Sequence, residues 1–203
     1  MNVAKEPSAA LDVRDLPTFG FSHRSVMWWG TAGLMAIEST VFALAVVTYF
    51  FLRAHADTWP MHSSPPDLTW GTVNTLLLVA SLWPNHLAKR AAERLDRNGV
   101  RLWITVCLTV SIVFLVIRGL EFAALNCKWY EDAYASIVWV LLGLHTTHLI
   151  TDFYDTGVLT VLTFTNRMED KRFVDVSENA AYWYFVVLSW LPMYAVIYWG
   201  ARF

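Results

Sequence analysis

Five stretches of this chain are too long and too apolar to sit comfortably anywhere but in a lipid bilayer. Between Val26 and Leu52 the only charge is Glu38. Leu68–Leu87 carries no charge and ends in Trp83-Pro84-Asn85-His86. Leu102–Ala124 is clean until Arg118 and Glu121 near its far end. Ala133–Thr165 is interrupted by His145, His148, Asp152 and Asp155, and Ala180–Gly200 is uncharged but holds Pro192. A helix crossing the hydrocarbon core needs about 20 mostly apolar residues, a length every run reaches. Backbone polar groups in lipid must be satisfied within the segment, so such runs are helices. The expectation is an all-α, polytopic membrane bundle of five transmembrane helices, at about 26–52, 68–87, 102–124, 133–157 and 180–200. The fourth run as a whole would extend about 50 Å as one helix. It must tilt, project its end beyond the bilayer, or break near Gly157.

Composition agrees. Charged residues make up 16% of the chain, against about a quarter in a typical soluble domain. Several of the 11 tryptophans lie near the ends of the apolar runs, where indole rings favour the headgroup level. A net charge of −2 gives no basic surface for nucleic acid. Cys107 and Cys127 would stand about 30 Å apart along a helix, beyond disulfide reach. Residues 1–25 are polar and of mixed charge, so they read as a tail rather than a cleavable signal, and residues 26–203 as one membrane domain.

Lysine and arginine placement sets the expected orientation. Lys5, Arg14 and Arg24 lie in the tail; Lys89, Arg90, Arg94, Arg97 and Arg101 follow the second run; Arg167, Lys171 and Arg172 follow the fourth. The opposite connections hold only Arg53, Lys128 and Arg202. The N-terminus is therefore expected in the cytoplasm and the C-terminus outside, which requires an odd number of crossings.

Charge inside a span is costly and marks candidate function. Glu38 falls near the middle of the first run, as a proton-binding or ligand-binding carboxyl, or as one that simply hydrogen-bonds a neighbouring helix. His145, His148, Asp152 and Asp155 fall within an arc of about 80° on a helix. His145 is about 18 Å deep from one end of its run and Glu38 about 18 Å from the other end of its own, so the histidines can meet Glu38. A pair of histidines one turn apart can share a metal, but a hydrogen-bonded pair linking helices is the more economical arrangement. Arg118 and Glu121 are spaced for an i,i+3 ion pair at the membrane edge. His86 and the basic cluster after it read as a solvated face. A redox centre in the membrane needs several histidine ligands, and of His23, His55, His62, His86, His145 and His148 only the last two lie well within a run. There is no CxxCH, no paired-cysteine motif and no phosphate-binding glycine loop. An accessory subunit or a carrier is expected.

Four stretches in order carry a resemblance. Glu38-Ser39-Thr40-Val41-Phe42, Arg118-Gly119-Leu120-Glu121-Phe122, Gly143-Leu144-His145-Thr146-Thr147-His148, and the last run from Tyr182 to Leu191, followed by Tyr198-Trp199-Gly200, are together similar to subunit III of the haem–copper oxidases. Glu178 fits as well. The resemblance runs from about Val26 to the C-terminus and is to the family's five-helix form. It implies a subunit without cofactors of its own that packs on oxidase subunits I and II, holds phospholipid and supports proton uptake in the bacterial cytoplasmic membrane. Haems and copper would sit in the partner subunits. Glu38, Glu121, His145 and His148 match the family's recurrent intramembrane polar positions. The chain departs from the family's usual W-H-F-V-D at Trp183-Tyr184-Phe185-Val186-Val187, and Asp152 and Asp155 stand where small residues are common. Two alternatives remain beside the oxidase subunit: a subunit III-like accessory protein of a nitric oxide reductase, and a small proton-coupled transporter.

Overall fold

The computed structural model describes residues 20–165 and 171–203, all of whose regular elements are helical. Most of the expected polar tail, with Lys5 and Arg14, and Arg167 of the fourth connection lie outside the described residues. Six helices follow in order: α1 (Val26–His55), α2 (Leu68–Ala80), α3 (Leu82–Glu93), α4 (Arg97–Ala123), α5 (Ala133–Phe164) and α6 (Arg172–Tyr194). A π-helical turn, Ala195–Trp199, continues α6. By length and hydropathy α1, α4, α5 and α6 with its π turn each reach across a membrane.

The second expected span is the consecutive pair α2 and α3, interrupted at Ser81. Pro84 explains the break: it has no N–H for the carbonyl of Ala80, and its ring presses on that same carbonyl. Ser81 keeps a helical backbone, so the chain continues rather than turning back. The five-helix bundle thus stands with its second helix broken. The long fourth run shows no break at Gly157, since α5 is continuous to Phe164. The last helix starts at Arg172, eight residues before its apolar stretch, because Asp175 and Glu178 continue the same helix toward the basic-rich end of the bundle.

Side chains close the helix starts. Ser25 accepts the N–H of Met27 at 3.1 Å, and Asp96 accepts those of Asn98 and Gly99, each at 3.1 Å. Asp132 caps α5 through the N–H of Ala135 at 2.7 Å. These are the short polar side chains that satisfy otherwise orphaned amides.

α5 and α6 form the centre: 44% of the spanning window of each is buried, against 17% for α1 and 22% for α4. α1 lies on α5 and α6, α4 on α5 and α3, and α2–α3 against α4 and α6. Leu44, Val47, Val116 and Leu188, each more than 60% exposed, point outward, as expected of helices bathed in lipid. At one end of the bundle Tyr49, Trp59 and Tyr134 meet edge to face, with centroids 5.1 Å apart for both Tyr49–Trp59 and Trp59–Tyr134. Arg53 donates to the carbonyl of Gly200 at 2.9 Å, Arg202 to that of Pro66 at 2.6 Å, and Ser63 to Asp132 at 2.8 Å. This end therefore gathers the α1–α2 and α4–α5 connections with the C-terminus. At the other end Arg101 donates to the carbonyl of Thr163 at 2.7 Å and Ser177 to Glu93 at 3.4 Å.

Close packing is tightest where Gly71 of α2 faces Tyr198. A Cβ on Gly71 would fall inside the Tyr198 ring, whereas one on Gly33 would meet nothing within 4 Å. Gly71→Ala is expected to destabilise the bundle by about 1–3 kcal/mol, while Gly33→Ala leaves it unchanged or raises its stability by up to about 1 kcal/mol; thermal melts in detergent compare the two. A second expectation concerns Asp132. Burial pushes its carboxyl up, but donations from the Ala135 N–H, the Ser63 hydroxyl and the backbone N–H groups of His62 and Ser63 outweigh this and hold it below the usual carboxylate range. A folded-state value below the unfolded one, about 3.9, gives stability that is fully present above that pH and is lost as pH falls through the folded value. Asp132→Asn should flatten this acid limb in melts carried below about pH 4.

Candidate functional site

Two polar systems lie inside the bundle. The first is closed. Arg118 and Glu121 of α4 pair at 2.9 Å, and both are almost wholly buried, at 1% and 2% exposure. The i,i+3 spacing that suggested an ion pair at the membrane edge produces one enclosed by protein instead. Asn74 of α2 donates to Glu121 Oε2 at 2.7 Å, and the Tyr198 hydroxyl donates to Oε1. Tyr198 reaches this point because Pro192 withholds an N–H from α6 and the following π turn widens the last coil.

Arg118 also reaches His145 Nδ1 at 3.3 Å, while His145 Nε2 lies 3.1 Å from the carbonyl of Val186. A guanidinium only donates and a carbonyl only accepts. His145 is therefore the neutral Nε2–H tautomer, bridging α4 to α6. Trp190 covers the guanidinium at 4.2 Å and Phe114 lies 5.0 Å away, both within cation–π range. Trp190 is itself held by Thr75 at 2.8 Å. This knot ties α2, α4, α5, α6 and the C-terminal turn together.

The second system opens to a groove. Glu38 of α1 accepts from the Tyr182 hydroxyl at 2.8 Å and lies 3.5 Å from His148 Nε2. His148 Nδ1 is 2.7 Å from the carbonyl of Leu144 one turn back, so Nδ1 carries hydrogen and Nε2 faces the carboxyl. The Phe42 ring packs on His148 with centroids 4.7 Å apart. Of the two histidines expected to meet Glu38, only His148 does. His145 lies three residues earlier on the helix, rotated by about 60°, and is taken by the other system.

The groove, about 570 Å³, runs between α1, α5 and α6 from Met27 and Arg172 at the basic-rich end to Glu38. Asp152, Asp155, Asp175 and Glu178 line it. Asp152 is 4% exposed; Thr156 donates to its Oδ2 at 3.5 Å and its Oδ1 has no partner. Asp155 is exposed on the same groove. His86 sits on the exposed face of α3, 2.9 Å from the Tyr184 hydroxyl. Among the described residues no group of three or more His, Cys, Asp or Glu is placed to hold a metal ion. Cys107 and Cys127 are both free thiols.

The participants that sequence reasoning missed are Asn74, Tyr182 and Tyr198. Asn74 had a signal, as an amide amid an apolar run; the two tyrosines stood in stretches that carry the family resemblance, but nothing there marked their hydroxyls as partners of the carboxyls.

Removing one partner of the buried pair leaves the other charge uncompensated, at a cost of about 3–5 kcal/mol. Arg118→Leu and Glu121→Leu are each expected to destabilise by that amount, and the double variant by clearly less than the sum. SDS-induced unfolding of the three variants measures this; strict additivity would show that the two residues do not act as a unit.

The family described as cytochrome c oxidase subunit III matches this chain over residues 29–202. Among curated relatives, cytochrome c oxidase subunit 3 of Thermostichus vulcanus is 26% identical over 172 residues, covering 82% of this chain and 83% of that protein. The probable cytochrome c oxidase subunit 3 of Nocardia farcinica is 28% identical over 178 residues, covering 83% and 85%. That of Synechocystis is 25% identical over 183 residues, covering 87% and 76%. The match takes in every residue of both polar systems, and with the helical bundle it leads to one conclusion: this chain belongs to the cytochrome c oxidase subunit III family.

Proposed function

We propose that the chain is the accessory subunit of a bacterial haem–copper terminal oxidase, without redox centres of its own, packed on subunits I and II. The observation that carries this is the family match over residues 29–202, with relatives named as that oxidase's subunit 3. Haems and copper in the partner subunits would reduce oxygen; this chain stabilises them and supports proton uptake. In the cytoplasmic membrane the basic-rich end, with Lys89, Arg90, Arg94, Lys171 and Arg172, faces inward, and the C-terminus faces out. Phospholipid contacts the exposed faces of α1 and α4.

Each polar system has a part in this reading. The closed knot has most of its donors and acceptors turned on one another, Asn74 Oδ1 and Arg118 Nε excepted, and acts as a rigid strut between four helices. The Glu38–His148–Tyr182 cluster sits at the head of a groove that opens at the basic-rich end.

Purification of the tagged chain in mild detergent, with a haem spectrum of what accompanies it, tests the assignment. Haem-bearing oxidase subunits are expected to co-purify, and recovery without them would overturn it. In the purified complex Glu38→Gln is expected to keep the initial rate of oxygen consumption within a factor of about two, far from the roughly hundredfold loss that follows removal of a catalytic acid–base group. Shortened activity during sustained turnover is the expected phenotype, read from oxygen-electrode traces.

A further inference from the structure

Asp152 lies between two spaces. On one side is the groove open at the basic-rich end; on the other is an internal cavity of about 20 Å³, bordered by Asp152, Ser111, Asn85, Thr156 and Asn179. A cavity needs about 10–15 Å³ and two to four polar partners to hold a water, and this one meets both conditions. Asp152 and Asn179 border both spaces. Asn179 donates to the Thr156 hydroxyl at 2.9 Å, which leaves that hydroxyl's own hydrogen for Asp152 Oδ2. Asp152 Oδ1 remains without a partner inside protein, a costly condition for any polar atom.

The surroundings of Asp152 are acidic. Asp155 lies on its own helix within electrostatic reach of both Asp152 and Asp175. α6 contributes Glu178, 4% exposed with neither carboxyl oxygen partnered, and Tyr182. α1 contributes Glu38, and α4 contributes Cys107. Arg172 lines the same groove and is joined to Asp175 at 3.0 Å. Several carboxyls thus line one groove. The one that adjoins both an aqueous entry and a water-sized cavity is Asp152.

We propose that Asp152 is a proton-loading site, fed from the basic-rich side through the groove and completed by a water in the internal cavity. A hydronium in the groove gives its proton to the Asp152 carboxylate, forming the carboxylic acid and a water, so charge and atoms balance. The cavity water then partners Oδ1, and Asp155 with Asp175 marks the route from the surface. The inference deepens the proton-uptake role proposed above and rests on that reading for its biological use, but the site itself belongs to this chain.

Infrared spectroscopy of the purified full-length protein, with whatever subunits accompany it, tests the site. The wild type is expected to show a carboxylic-acid C=O band that titrates with pH and shifts down in D2O. Asp152→Asn should remove that band, Glu178→Gln should retain it, and Asp152→Glu should restore it at a displaced position. Should Asp152→Asn fail to fold, the displaced band of Asp152→Glu makes the same assignment. An unchanged spectrum in Asp152→Asn overturns the proposal. So does loss of the band in Glu178→Gln, or a band indifferent to pH and D2O, which would mean a sealed acid. The band is read on this chain, so its presence without co-purifying oxidase subunits would sink the proposed function and leave the proton site standing.

Discussion

A guanidinium and a carboxylate buried 2.9 Å apart set the terms for the rest of this bundle. Neither charge could remain there alone, because hydrocarbon offers nothing to solvate it. The helices around the pair are therefore arranged to complete it: α2 supplies Asn74, α5 supplies His145, and the C-terminal turn supplies Tyr198. The aromatic faces of Trp190 and Phe114 cover what hydrogen bonds do not. Even the two prolines serve this arrangement, since one breaks the second helix below Ala80 and the other precedes the π turn that carries Tyr198 inward.

With that knot closed, the remaining intramembrane polar groups form a separate system of a different kind. Glu38, His148 and Tyr182 join α1 to α5 and α6 at the head of a groove, and the carboxyls below them lead toward the basic-rich end. One system turns most of its polar atoms on one another, with Asn74 Oδ1 and Arg118 Nε left over, and links the helices around it. The other leaves the carboxyl oxygens of Asp152 and Glu178 without partners along an open groove. Membership of the cytochrome c oxidase subunit III family gives both a setting, a subunit of an oxidase complex.

Much of this was legible in the residues. The five-helix bundle followed from run length against bilayer thickness, and a depth estimate brought the fourth helix's histidines level with Glu38. The depth estimate could not say which histidine arrives, because rotation of α5 about its axis depends on what packs on its other faces. His145 was claimed by Arg118, a residue whose run gave no hint of its direction. Asp152 and Asp155 shared a stripe with the histidines by angle, yet the structure divides that stripe between a closed knot and an open groove.

The chain's own order of residues was enough to determine the all-helical class, the five-helix membrane bundle and the family. Each is a local property, set by hydropathy over one run or by short motifs in sequence. Only the tertiary structure decided that Arg118 and Glu121 are enclosed rather than at an edge, that Tyr182 and Tyr198 are the hydroxyls reaching the two carboxyls, and that Asp152 separates a groove from a cavity. These depend on helix rotation and on contacts spanning up to 144 residues, as between Glu38 and Tyr182, and such contacts leave no periodicity in a single sequence because nothing in either run names its partner.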